Sequence, residues 1–337
     1  MIKYLGSKRR LVPHILELVR GLDGVHRVAD LFSGTARVGH ALKREGYEVW
    51  ANDHNAYAAC LARCYVEADA REWSDEAARR VTELGRLAPA GDGGWFTETY
   101  CRQARYFMPA NGARIEAVRE AIAAAALPPT LEAVLLVALM EAADRVDSTV
   151  GLQMAYLKDW APRASAPLEL RVPALLPGPG RATRLDAADA AAAVAAWRPD
   201  LVYLDPPYNQ HSYLGNYHVW ETLVLWDRPE VYGVARKRAD VRERKSPYNS
   251  RAGIKDALCD LCDRIDARWL LLSFNDEGYI AVDELEELLR ARGALERVDV
   301  ANPRHVGARI GIHDHLGRRV GTPGRLENRE HLFLLRR

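Results

Sequence analysis

Residues 25–53, VHRVADLFSGTARVGHALKREGYEVWAND, constrain this chain more than any other stretch. "VHRVADLF" has the apolar character of a strand. "ARVGHALKREG" places Val38, Ala41 and Leu42 at helical spacing and stops on Gly46. "YEVWAND" reads as a second strand and "NAYAACLARCYVEA" as a second helix. A strand–helix–strand unit of this kind joins parallel strands through a right-handed crossover. Parallel strands need cover on both faces, so the rest of the chain has to supply helices for two layers.

It does so in two portions. From about Asp69 to about Gly180 the patterns are helical ("ARIEAVREAIAAAA", "LEAVLLVALMEAADRV") with loops rich in Gly and Pro. The αβ rhythm resumes with "RATRLDAADAAAAVAAW", the strand "DLVYL" and a helix in "GNYHVWETLVLW". It continues through "RWLLLSF" and "VDELEELLRARG" to "EHLFLLRR". The first βαβ unit cannot cover its own strands, so a helical insertion in a single sheet fits better than two serial domains. The expected division is a discontinuous α/β domain, 1–68 and 181–337, interrupted by a helical insertion, 69–180.

Composition excludes several classes. With 337 residues, 48% hydrophobic and 28% charged, a sizeable core is available. The longest strongly apolar run, Ala133 to Met140, is far short of the ~18 residues of a membrane span. The basic start "MIKYLGSKRR" lacks the apolar centre of a signal peptide, so a cytoplasmic location and no membrane partner are expected. Five cysteines, an odd number, do not suggest a disulfide framework, and Cys259 and Cys262 have no second Cys/His pair nearby, so no metal site is expected. The net charge is only +1, but Arg236 to Lys255 carries eight Lys/Arg against Asp240 and Glu243. The first ten residues hold Lys3, Lys8, Arg9 and Arg10 with no acid, and the tail from Arg304 is Arg-rich. Three basic segments in a near-neutral chain suit a one-sided polyanion site.

Two motifs carry chemistry. Gly34-Thr35-Ala36-Arg37-Val38-Gly39 has the spacing of a dinucleotide turn, with Ala36 where the middle glycine would let the backbone approach a pyrophosphate. A nucleoside cofactor without a pyrophosphate does not need that glycine. Asp53 follows Gly34 by 19 residues, close to the ~20 of an acid that accepts from ribose hydroxyls. The second motif is "YLDPPYN". Proline lacks an N–H and disfavours helix at the residue before it, so the strand stops and Asp205, Pro206, Pro207 and Tyr208 form a stiff edge at its carboxyl end. Ligands of open α/β sheets sit there.

"KYLGSKRRL", "DLFSGTARVG" and "YLDPPYNQHSYLGNYH", in this order, resemble the DNA adenine-N6 methyltransferases whose cofactor motifs precede D-P-P-Y, the D12 or alpha class. "STVGLQMAYLKDWAPRASAPLEL", "SPYNS" and "LSFNDEGYI" resemble members of that class too, in particular methylases that accompany restriction enzymes with asymmetric sites. Family members usually carry glycine where this chain has Ala36. The resemblance implies a class I S-adenosylmethionine-dependent methyltransferase fold, a Rossmann-like seven-stranded sheet with its last strand antiparallel. It implies S-adenosylmethionine as cofactor and double-stranded DNA as substrate, and it leaves open whether a cognate restriction endonuclease is a partner.

It also implies residue roles. Asp205 and the Pro206 carbonyl would accept the two N6–H of a flipped adenine, with Pro207 stiffening the edge and Tyr208 stacking on the base. Tyr4 and Lys8 would lie near the methionine part of the cofactor, Lys8 pairing its carboxylate. Phe32, Ser33 and Gly34 would form the turn beneath it, and Asp53 would hold the ribose. Asp186 is a candidate contact to the cofactor's adenine and equally a helix N-cap. His211 and His218 are expected to be structural or DNA-facing, and Tyr213 and Tyr217 face either the flipped base or the core. The segment from Arg236 to Lys245 is expected to be a mobile loop closing on phosphates, with Arg236, Lys237, Arg238 and Lys245 as DNA contacts and the insertion reading the target sequence. An RNA or protein-amide N-methyltransferase, a non-catalytic DNA-binding protein of the same fold and a nicotinamide oxidoreductase are the alternatives. The sequence leaves the recognition site and the oligomeric state open.

Overall fold

The computed structural model describes residues 1–89, 91–303, 312–313, 319–321 and 327–337; most of the Arg-rich tail from Arg304 lies outside the described residues. The strands are β1 (Arg27–Asp30), β2 (Glu48–Asn52), β3 (Gly180–Thr183), β4 (Leu201–Leu204), β5 (Val231–Tyr232) and β6 (Lys237–Arg238). They continue with β7 (Trp269–Asn275), β8 (Ala294–Pro303), β9 (Ile312–His313), β10 (Arg319–Gly321) and β11 (Glu327–Arg336). Seven of them form one sheet in the order β3-β2-β1-β4-β7-β11-β8, with β5–β6 and β9–β10 as separate two-stranded pairs. β11 runs antiparallel to both β7 and β8, while β1, β2, β3, β4 and β7 pair in parallel. This is the expected seven-stranded arrangement. The order reverses beside β1, where β4 lies on one side and β2 on the other, and that switch point opens a crevice at the strand carboxyl ends.

Alternation along the strands divides the core. Val28, Leu201, Tyr203 and Leu271 face one layer, and Ala29, Val202, Leu204, Leu270 and Leu272 face the other, the period of two that a pleated strand imposes. The second layer is closed by α8 (Ala187–Ala195), α11 (Ile254–Arg264) and α12 (Val282–Arg290). The first is closed by α1 (Val12–Arg20), α2 (Arg37–Arg44), α3 (Ala56–Ala62) and α10 (His218–Leu225), and by the insertion helices. Those are α4 (Ala70–Gly85), α5 (Trp95–Thr97), α6 (Pro109–Ala124) and α7 (Pro129–Arg145); a single turn, α9 (Tyr213–Asn216), precedes α10. Twelve of the 17 residues of α7 are buried, and Val134 and Leu135 share one cluster with Leu61 and Tyr65 of the α/β unit. The insertion is thus a layer of the same core.

The insertion returns to the sheet at Gly180. A Cβ there would stand 2.0 Å from the Val66 carbonyl oxygen, so only glycine lets β3 begin beside the π-helical turn Arg63–Glu67 that follows α3. The Val66 and Ala68 carbonyls hold the buried Lys43 ammonium at 2.7 and 2.8 Å. Burial lowers Lys43 to about 8. On the other layer Cys262 is buried against the α11 core while Cys259 is half-buried, and both are free thiols.

Candidate active site

The first βα turn is built by two residues in the left-handed region, Gly34 (φ 51°) and Ala36 (φ 58°). At Gly34 a side chain would meet the Tyr4 ring at 3.5 Å. Ala36 is fully buried and caps α2 in a conformation that glycine adopts freely. This chain keeps the shape of a glycine turn at a strain cost of roughly 1–2 kcal/mol. Asp53 fastens the turn to β2: its Oδ2 accepts from the Gly34 N–H at 3.0 Å and its Oδ1 from the Asn55 N–H at 2.9 Å. Burial raises the Asp53 carboxyl, with His54 and the two N–H donors opposing.

The turn floors a cavity of about 320 Å³. Of the expected site residues, Tyr4, Lys8, Phe32, Ser33, Gly34, Asp53, Asp186, Asp205, Pro207 and Lys245 line it. Asp186 occupies the α8 N-cap position with extended backbone, but its side chain makes no cap bond and is 81% exposed, 3.8 Å from the His54 ring. Pro206 is buried behind the edge. Tyr208 is half-buried with its ring on Phe274 at 5.6 Å, and its carbonyl accepts the Tyr279 N–H. Tyr4 is stacked between Tyr213 (5.2 Å) and Tyr217 (4.5 Å). Tyr213 lines the cavity, whereas Tyr217 lies in the core and its hydroxyl accepts the Leu5 N–H.

The charges converge on Asp205. The Lys8 ammonium, buried, stands 3.0 Å from Asp205 Oδ1 and 3.5 Å from Glu330 Oε2. Burial opposes its charge, but Asp205 and Glu330 outweigh that and raise Lys8 well above its ordinary value. Asp205 is raised to about 6 by burial, with Lys8 lowering and Glu330 raising it. Lys8, expected near the cofactor's carboxylate, thus faces two carboxylates of the protein. Asp30 ends β1 on the cavity wall. Burial, then Asp205 and Asp53, hold its carboxyl well above the usual range, and its Oδ1 has no partner among the described residues.

The basic segment departs from the expected free loop. Arg238 is buried (3% exposed) and paired with Asp227 at 2.7 Å and Asp240 at 3.0 Å. It is a structural anchor and not a phosphate contact, because two acids reach its guanidinium inside the fold. Arg244 reaches the fully buried Glu221 at 2.9 Å. Arg236 and Lys237 are half-buried, whereas Lys245 is exposed on the cavity rim. Residues 246–249 then form a wall: Tyr248 meets Phe32 edge-on at 5.1 Å, and Asn249 donates to the Asn209 and His211 carbonyls. His211 is exposed. His218 is buried, hydrogen-bonded to the Gln153 carbonyl at 2.9 Å and lowered by burial to about 3, a neutral core residue.

Asp30, Arg244, Tyr248, Asn249 and Glu330 were not singled out from the sequence. Asp30 has a local signal, an acid closing a buried strand, and Tyr248 and Asn249 lie within "SPYNS". Glu330 has none.

The left-handed turn after β1 and the acid–proline edge after β4 face one cavity at the switch point. Residues 4–285 match the family described as D12 class N6 adenine-specific DNA methyltransferase, and the chain belongs to that family. It is 31% identical over 88% of its length to the type II methyltransferase M.FokI of Planomicrobium okeanokoites, covering 48% of that protein. It is 29% identical over 88% to M.NlaIII of Neisseria lactamica, covering 90%. With the modification methylase StsI of Streptococcus sanguinis the figures are 28% over 89%, covering 48%. The chain therefore spans about half the length of two of these relatives.

Proposed function

We propose that this protein transfers a methyl group from S-adenosylmethionine to N6 of adenine at specific sites in double-stranded DNA, as the modification half of a restriction–modification pair. One observation carries the reading: the Asp205 edge and the Gly34–Asp53 turn share a single cavity. Family membership and the type II methyltransferases among its relatives support it.

The residues present fit the cofactor. Asp53 keeps lone pairs for ribose hydroxyls after serving Gly34 and Asn55. Phe32 and Tyr248 offer apolar walls for a flat base, and Asp30 has an unused carboxylate oxygen for an amino group. Once bound, the cofactor supplies an electrophilic methyl group. The protein's part is to make N6 a nucleophile. Its lone pair is delocalised into the ring, and acceptance of the two N6–H by the Asp205 carboxylate and the Pro206 carbonyl lets the nitrogen pyramidalise. Fixed acceptors also favour the positive charge that develops on N6. The proton becomes acidic only after transfer, so Asp205 acts as an acceptor first and not mainly as a base. The adenine has to leave the duplex at a cost of a few kcal/mol, and stacking on Tyr208 or Tyr213 offsets roughly 1–3 kcal/mol of this. Phosphates are held by Lys245, Arg236 and Lys237, and the exposed side of the insertion reads the target.

Methylation-sensitive sequencing of DNA from a host without adenine methylation, expressing this chain, tests the proposal. N6-methyladenine at one recurring sequence is the expected outcome; its absence overturns the reading.

A further inference from the structure

We infer that Glu330 is a positioning residue for the Asp205 acceptor, acting through Lys8; the inference rests on the function proposed above and extends it. Glu330 and Asn275 are register partners on the paired strands β11 and β7, and Asn275 Nδ2 donates to Glu330 Oε1 at 3.1 Å. One carboxylate oxygen is thereby fixed by the sheet, and the other faces Lys8 at 3.5 Å. Lys8 meets Asp205 at 3.0 Å through Oδ1. A buried ammonium is drawn fully onto a lone carboxylate; between two it is shared. Glu330 thus shares the Lys8 charge, so that Lys8 orients Asp205 through Oδ1 and leaves Oδ2 to the substrate amine. Without Glu330 the whole ammonium charge falls on Asp205 and competes with N6–H for the same lone pairs.

Two carboxylates against one ammonium also leave the cluster with a net negative charge, which strengthens Asp205 as an acceptor. The groups facing Asp205 from the surrounding elements are Lys8, Glu330, Asp30, Tyr203, Tyr208 and Tyr213. Of these, Glu330 can be neutralised without touching the substrate or the cofactor turn.

The test is Glu330→Gln, a neutral isostere that can keep the Asn275 hydrogen bond, assayed by methyl incorporation into genomic DNA from a host lacking adenine methylation. The expected result is a kcat at least about tenfold lower, S-adenosylmethionine affinity within about twofold of wild type by calorimetry, and an acid limb of kcat/KM displaced to lower pH. The displacement follows because loss of a neighbouring negative charge favours the ionised form of Asp205. Glu330→Asp restores the wild-type acid limb. Should Glu330→Gln not fold, Asn275→Ala frees Glu330 while keeping its charge, and a fall in kcat with an unmoved limb is expected. Wild-type kcat and an unmoved limb in Glu330→Gln, or wild-type kcat in Asn275→Ala, overturns the inference alone. A wild-type protein that methylates no adenine removes the proposed function and this inference with it.

Discussion

Under the proposed function, activity has to cross a proton equilibrium held by Asp205. Burial brings its carboxyl to about 6 against the pull of Lys8, and in the proposed reaction the ionised form is the stronger acceptor for N6–H. Protonation below that value removes the negative charge that favours the developing ammonium, so kcat/KM is expected to fall about tenfold per unit below pH 6 and to level off above it. A profile flat down to pH 5 would take this role from Asp205. Asp205→Ala should abolish methyl transfer while calorimetry finds cofactor binding nearly intact. Asp53→Ala should instead weaken the cofactor by about 1–3 kcal/mol, the range for hydrogen bonds to a charged group, and unchanged affinity would remove it from the ribose. Asp205, Gly34 and Asp53 could be placed on one cavity from the sequence because residue type and spacing mark the ends of β4, β1 and β2 locally. Glu330 was not, since 322 positions separate it from Lys8 and only the pairing of β11 with β7 joins them. Lys8 does line the cavity, but its pairing with Glu330 depends on that same strand pairing.

At the scale of elements, the basic segment separates into anchors and free charge. Arg238→Ala should lower stability by about 1–3 kcal/mol in denaturant titration, below the 3–5 kcal/mol of a fully buried pair, because Asp227 and Asp240 are 39% and 29% exposed and regain water. Wild-type stability would make the pairing inconsequential. Lys245→Ala should weaken binding to all duplexes alike and flatten the salt slope by about 1 unit, without changing the methylated sequence; a variant that methylates new sites would place base readout on this rim. The sequence displayed the charges of this segment but not its partners, since Asp227 and Glu221 lie on the far side of the hairpin in the chain. Helices and strands were more readable: "RWLLLSF" covers six of the seven residues of β7, and "VDELEELLRARG" contains α12. β8, "ALERVDVANP", alternates too weakly to stand out.

Across the whole molecule, the insertion and the sheet share a core. Burial of Leu135, Leu136, Val137 and Leu139 on α7 contributes roughly 6–12 kcal/mol at about 1.5–3 kcal/mol per side chain, comparable to the ~5–15 kcal/mol that stabilises a typical protein. The placement of β11 has a further consequence, for biosynthesis. About 50 residues of chain separate the end of β7 from the start of β11, or roughly 3–10 s of translation at ~5–20 residues per second. Throughout that interval a nascent chain carries β7, and then β8, with the edges that face β11 unpaired. Such edges invite pairing with other chains. A nonsense codon between residues 304 and 326 would leave both edges open permanently and remove Glu330 as well, so its product belongs to the chaperones and proteases.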